Sequence, residues 1–213
     1  MRSAETGEPE PVRLEVDGKP RVKVHTKPSD QAHICLGVHS YPLEHPDRYA
    51  LQVLSMVLGG GMSSRLFTEV RERRGLAYYV YGLNHSYTDT GSLYAQAGVD
   101  INRIDDAVST IAAELRKIAE EAVPPDELEK AKSFAKGRFV LQLETSQGLI
   151  MFGLRREVLE SRTPDQEEIL AELGKVTVED VQRVAQDVIA QRGLNLAVVG
   201  PFDDAERFEK LLA

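Results

Sequence analysis

Apolar and polar positions change rhythm along this chain, and each change marks an element. Residues 12–16, VRLEV, and 21–26, RVKVHT, alternate apolar with polar, the period of half-buried strands. QAHICLGVHS, residues 31–40, continues that alternation. Ile34, Leu36 and Val38 fall on one side of it, and His33, Cys35, Gly37 and His39 on the other. From His45 the period lengthens. Ala50, Val53, Leu54, Val57 and Leu58 recur at helical spacing and predict a helix with one apolar stripe. Gly59, Gly60 and Gly61 stop it, because each glycine inside a helix costs about 1 kcal/mol relative to alanine. A second helix is predicted over 64–73, with Leu66, Phe67 and Val70 as its apolar face, Ser63 or Ser64 as its cap, and Gly75 as the left-handed turn after it.

AYYVYGLNHSY and GSLYAQAGV then read as a hairpin joined at TDTG. Ile104, Ala107, Val108, Ile111, Ala112, Leu115, Ile118 and Ala119 form the stripe of a long helix. VPPDELEK restarts a helix with proline in its first turn and acids near its N-terminus, and this helix is predicted to reach Glu144. Shorter helices are expected at 147–160 and 165–173. VTVEDV carries a capping box, with Thr177 as N-cap, Asp180 at the third position, and Val176 positioned to staple onto Val181. LNLAVVG reads as a closing strand and DDAERFEKLL as a terminal helix. Strict strand–helix alternation is missing, so a doubly wound parallel sheet is not expected. The order predicts an α+β fold: a two-layer sandwich whose mixed or antiparallel sheet is covered on one face by helices. SAETGEPEP at the start is small, acidic and proline-punctuated, so residues 1–11 read as a linker and 12–213 as a single domain.

Composition narrows the function. A 213-residue chain with 42% hydrophobic residues can build its own core without staples. The lone Cys35 excludes an intrachain disulfide. A net charge of −8 argues against a nucleic-acid partner, which is ordinarily met by a basic face. No apolar run reaches the ~20 residues of a membrane helix, and the polar N-terminus shows no signal peptide, so a soluble chain is expected.

The chemistry concentrates in LGGGMSSRLFTEVRERRGLAYYVYG, residues 58–82. A phosphate loop would need a lysine after the glycines, and a dinucleotide loop would need a strand before them; neither is present. Arg65, Arg71, Arg73 and Arg74 beside Tyr78, Tyr79 and Tyr81 suggest base stacking, but Glu69 and Glu72 interleave with the arginines and fit a solvated helix end better. No two of the five histidines are four residues apart, so no H-E-x-x-H or H-x-x-E-H zinc helix exists here. His33, Cys35 and His39 share a strand face without a defined acidic ligand, which fits a plain polar face. Ser63 and Ser64 lack a nucleophile elbow and a base, so capping explains them.

HPDRYALQVLSMVLGGGMSSRLFTEVRERRGLAYYVYG, residues 45–82, closely resembles the C-terminal half of pitrilysin/insulinase-type zinc metalloproteases, the mitochondrial processing peptidase-like group. KPSDQAHICLGV, PPDELEKAK, VTVEDVQRVA and LAVVGP extend the resemblance more weakly to most of the chain. The resemblance implies paired α+β halves facing each other as a clamshell. The N-terminal half carries the zinc motif; the C-terminal half has no zinc ligands and completes the substrate cleft. It further implies that Arg71 and Tyr78, seven residues apart, contact peptide substrate: Arg71 holds a substrate carbonyl and Tyr78 hydrogen-bonds the scissile carbonyl oxygen. Zinc would then belong to the partner half or to a separate homologous subunit, and the chain alone would be inactive. The polar start fits the hinge between halves, which predicts a fragment cut there. The alternative within the same family is a scaffold subunit that has lost catalysis. An extended peptide is also expected to pair with an edge strand, with LYAQAGV as the candidate.

Overall fold

The computed structural model describes residues 18–162 and 164–212. The expected linker and the VRLEV strand lie outside the described residues. β1 (Arg21–Thr26) and β2 (Gln31–Ser40) lead into helix α1 (Arg48–Gly59). After a π-helical turn (Phe67–Arg73) come β3 (Ala77–Ser86) and β4 (Gly91–Asp100). Helices α2 (Ile104–Glu120), α3 (Pro125–Leu143), α4 (Ser146–Leu159), α5 (Gln166–Lys175) and α6 (Val178–Ala185) follow. β5 (Asn195–Gly200) and α7 (Ala205–Leu212) close the chain.

The sheet order is β1-β5-β2-β4-β3. β1 runs parallel to β5, and every other neighbour is antiparallel, so the sheet is mixed. The periodicity of β2 explains its orientation. Ile34, Leu36 and Val38 are buried under the helices, whereas His33 is exposed and Cys35 and His39 are half-buried on the opposite face. In register with Cys35 lie Ala197 and Gln96, and Gln96 in turn faces Tyr81, so these residues share the face that carries no helix among the described residues. The stripes of α1 and α2 are buried at every predicted position, and they join the sheet's inner face in one apolar cluster. The capping box at Thr177 and Asp180 is present, with Val176 and Val181 both buried.

The structure corrects several local expectations. LYAQAGV lies in β4, which is paired on both sides, so it offers no edge to a peptide. Among the described residues the edge strands are β1 and β3. Chain order could not show this, because β5 arrives last and inserts between β1 and β2. The second helix is π-helical over Phe67–Arg73 and has no side-chain cap. Ser64 is buried and donates its hydroxyl to the Gly61 carbonyl at 2.6 Å, rather than accepting from a helix N–H. The glycine corner brings the end of α1 against strand β3 at Gly59 and against Phe134 of α3 at Gly61. A Cβ on Gly59 would sit 1.9 Å from the Gly82 nitrogen, so only glycine lets the end of α1 touch β3 backbone to backbone.

Candidate functional site

The corner after α1 is anchored on two sides. Glycine contact at Gly59 and Gly82 holds it to the sheet. Arg65 holds it to α3, donating from Nε and Nη2 to the Glu127 carboxylate at 2.9 and 2.8 Å. Glu127 stands in the first turn of α3, where a negative charge also suits the helix dipole. The bond to Glu127 raises the pKa of the Arg65 guanidinium, so the clamp stays charged. Nearby, burial pushes the Glu114 carboxyl above its ordinary range.

From this anchor the π-helical turn carries Glu69, Arg71, Glu72 and Arg73, and Arg74 follows it. Glu69 engages two arginines: Arg73 hydrogen-bonds it, and Arg74 Nε lies 3.9 Å from it. Arg71 is exposed, and its guanidinium carbon lies 5.0 Å from the centroid of the Phe67 ring, within cation–π range. No carboxylate pairs with Arg71 among the described residues. Gly75 then adopts φ +57, the left-handed value the sequence predicted. Buried Leu76 reaches back to donate its N–H to the Val70 carbonyl at 2.8 Å, and Arg103 donates to the Arg74 carbonyl at 3.1 Å. These bonds close the loop between the π-helical turn and β3.

β3 opens with a bulge. Ala77 pairs with Val99 but Tyr79 pairs with Gly98, so Tyr78 is the extra residue on its strand. Strict alternation would turn Tyr78 toward the helices together with Val80. The bulge instead leaves it 56% exposed, while Val80 is buried. The neighbouring tyrosines are engaged. The Tyr79 hydroxyl lies 2.9 Å from His33 Nδ1, and its ring covers Gly98. Tyr81 stacks against Tyr79 with centroids 5.8 Å apart. Arg71 and Tyr78 thus stand on the two arms of one turn, both in solvent, with no bond between them. A guanidinium and a phenol so placed are free hydrogen-bond donors for an external carbonyl.

The metal reading of the open face fails on geometry. His33 is taken by Tyr79, burial pushes the Cys35 thiol pKa up, and no group of three or more His, Cys, Asp or Glu among the described residues could hold a metal ion. The residues present therefore do not fit zinc. No helix among them is long and apolar enough to cross a membrane.

Sequence reasoning missed two features. Helix α4 buries none of its residues, and Ile150, Leu154 and Val158 form an exposed apolar stripe along it. Beside it, a groove of 540 Å³ runs between β3, α1, α3 and α4. The stripe has a visible signal in GLIMFGLRREVL, where large apolar residues recur at helical spacing. The groove has none, because its walls are distant in the chain.

Comparison with known sequences settles the family. The profile described as peptidase M16 inactive domain matches residues 2–134. The chain belongs to that family. The chain is similar to an uncharacterized zinc protease of Streptomyces coelicolor, 36% identical over 87% of this chain and 40% of that protein. It is also similar to the alpha subunit of the mitochondrial-processing peptidase of Caenorhabditis elegans, at 26% identity over 76% of this chain and 33% of that subunit. Among solved structures, a protease from Helicobacter pylori superposes with a TM-score of 0.81, covering 92% of this chain and 48% of that one at 24% identity, which shows the fold. The chain spans less than half the length of these relatives.

Proposed function

We propose that this M16 inactive domain is the metal-free wall of a zinc metalloendopeptidase and that it completes the substrate cleft opposite a zinc-bearing half. One observation carries the reading: among the arginines and tyrosines of residues 65–81, Arg71 and Tyr78 alone are exposed without a carboxylate, hydroxyl or ring-nitrogen partner or a tyrosine stacked on them, and they flank the same left-handed turn. Arg71 offers a charged fork to a substrate backbone carbonyl. Tyr78 donates its phenolic proton to the carbonyl oxygen of the scissile bond as negative charge develops there, which is the point where a hydrogen bond lowers the barrier. A bulge and a π-helical turn fix the backbone positions from which the two donors reach.

The exposed stripe on α4 supports a second wall. Ile150, Leu154 and Val158 face solvent on a helix with no buried residue. The relatives carry more than half their length beyond the region matched here, and a homologous half is the occupant this stripe fits.

The test is reconstitution. The chain is mixed with its zinc-bearing half, and peptide hydrolysis is compared for wild type, Arg71→Ala and Tyr78→Phe. Loss of an oxyanion donor costs on the order of 10²–10³ in kcat. Tyr78→Phe is expected to lose rate mainly in kcat, and Arg71→Ala to lose kcat/KM. Full turnover by Tyr78→Phe removes the phenol from the mechanism, and hydrolysis by the chain alone with zinc bound overturns the division of labour.

A further inference from the structure

The groove beside β3 has a charge that the rest of the chain does not share. The chain carries a net charge of −8, yet Arg48, Arg138, Arg155 and Arg156 line this groove against the single carboxylate of Glu160. Glu160 is shared: Arg48 Nη1 donates to it at 2.9 Å, and Arg156 Nη1 donates at 2.9 and 3.2 Å. Two guanidiniums are left over. Arg138 is exposed on α3 with no carboxylate partner among the described residues. Arg155 is exposed on α4 and donates only to the main-chain carbonyl of Ser86, at 3.0 Å.

That last contact shows that Ser86, on β3 at the end of the sheet order among the described residues, turns its carbonyl into the groove. In an antiparallel ladder, hydrogen-bonded and non-hydrogen-bonded pairs alternate. Tyr87 N–H donates to the Thr90 carbonyl at 2.8 Å, which sets the phase. Asn84 and Ser86, in register with Leu93 and Gly91, therefore turn their main-chain groups away from β4 and toward the groove. Leu43, Met56, Phe139, Met151 and Phe152 add apolar surface to the same groove.

We infer that this groove takes an extended peptide segment bearing an acidic residue, which pairs with β3 at Asn84 and Ser86 and seats its carboxylate on Arg138 and Arg155. The main-chain pairing supplies sequence-independent affinity, and the arginines select the side chain. The carboxylate displaces nothing but solvent from Arg138, and Arg155 has donors to spare beyond its one bond to Ser86. The inference rests on the reading of this chain as a peptide-binding wall, and it names the substrate class that wall prefers.

The test uses the whole chain and no turnover. A blocked, extended peptide with one central Glu is titrated by NMR, beside the same peptide with Gln in its place. The Glu peptide is expected to bind about tenfold more tightly, a difference of about 1.4 kcal/mol. It should shift the amide signals of Asn84 and Ser86, and N-methylation at alternate peptide positions should abolish binding in one phase only. The paired variant Arg138→Ala with Arg155→Ala should collapse the Glu–Gln difference, while Arg155→Lys should keep most of it and so control for folding. Equal affinity of the two peptides, shifts outside β3, or indifference to N-methylation each overturns the inference. So does exclusion of both peptides when the zinc-bearing half is added, because that half then owns the groove. Failure here leaves the Tyr78→Phe rate test standing, and failure of that test leaves the groove standing.

Discussion

Replacing Gly59 by alanine tests the contact on which the whole site is seated. An added Cβ would lie 1.9 Å from the nitrogen and 2.5 Å from the Cα of Gly82. Carbon contacts settle at about 3.5 Å or more, so the end of α1 and strand β3 must separate by roughly 1.5 Å. Both obstructing atoms are backbone, so no side chain can swing aside. Overpacking of this kind costs about 1–3 kcal/mol. Alanine returns up to about 1 kcal/mol through its better helix propensity, and Gly59 has negative φ, so no conformational strain is added. Gly59 is the last residue of α1, where little of that propensity gain is realised, so most of the cost of about 1–3 kcal/mol remains, and each kcal/mol lowers Tm by roughly 2–4 °C for a chain of this size. Gly61→Ala is the control. Its Cβ would meet the Phe134 ring at 3.2 Å, and a ring at the end of a side chain can give. Thermal melts followed by circular dichroism decide the matter. A Gly59→Ala protein that melts with the parent, or a Gly61→Ala protein that loses as much, refutes the assignment of the close approach to α1 and β3.

Other consequences are as direct. Gly75→Ala should cost about 1–2 kcal/mol because φ +57 is a left-handed value, and Gly75→Asn should recover part of it in the same melts, since nothing crowds that site within 4 Å. Arg65→Ala breaks both bonds to a part-buried Glu127 and should lose about 1–3 kcal/mol in urea denaturation. Thr177→Ala removes half of the capping box and should cost about 1 kcal/mol. Burial raises the Glu114 pKa, so the folded chain holds that proton more tightly than the unfolded chain. Its penalty is absent below the unfolded carboxyl value of about 4.3, grows as pH rises, and is complete above the raised folded value. Glu114→Gln should therefore raise Tm at pH 7 and not at pH 4, and a pH-independent difference would contradict the burial argument.

How much of this was legible in the sequence depends on how far each feature reaches along the chain. The stripes of α1 and α2, the faces of β2 and the box at Thr177 are local patterns, and the structure places them as written. The family resemblance was carried by residues 45–82 and matches the profile found. The role of β4 was not legible, because an interior strand and an edge strand share one alternation, and only the order β1-β5-β2-β4-β3 separates them. Ser64 looked like a cap because serine before an apolar run ordinarily is one; the turn that follows is π-helical and its hydroxyl serves Gly61 instead. Tyr78 left a faint local trace. It is a tyrosine in the inward phase of AYYVYG, and a bulge is one way a strand turns such a residue out. Arg138 and Arg155 left none, since they come to line one groove only after α3 and α4 have packed.

The late strand β5 bears on biosynthesis. It is the only described strand that touches β1, and it also joins β1 to β2. A ribosome must therefore translate through Gly200 before the sheet can close, leaving the β2–β4–β3 meander to wait with an unfilled slot. A message truncated just upstream of Asn195 would yield a polypeptide with nearly all the helices and no means of securing β1, an early substrate for quality-control proteolysis.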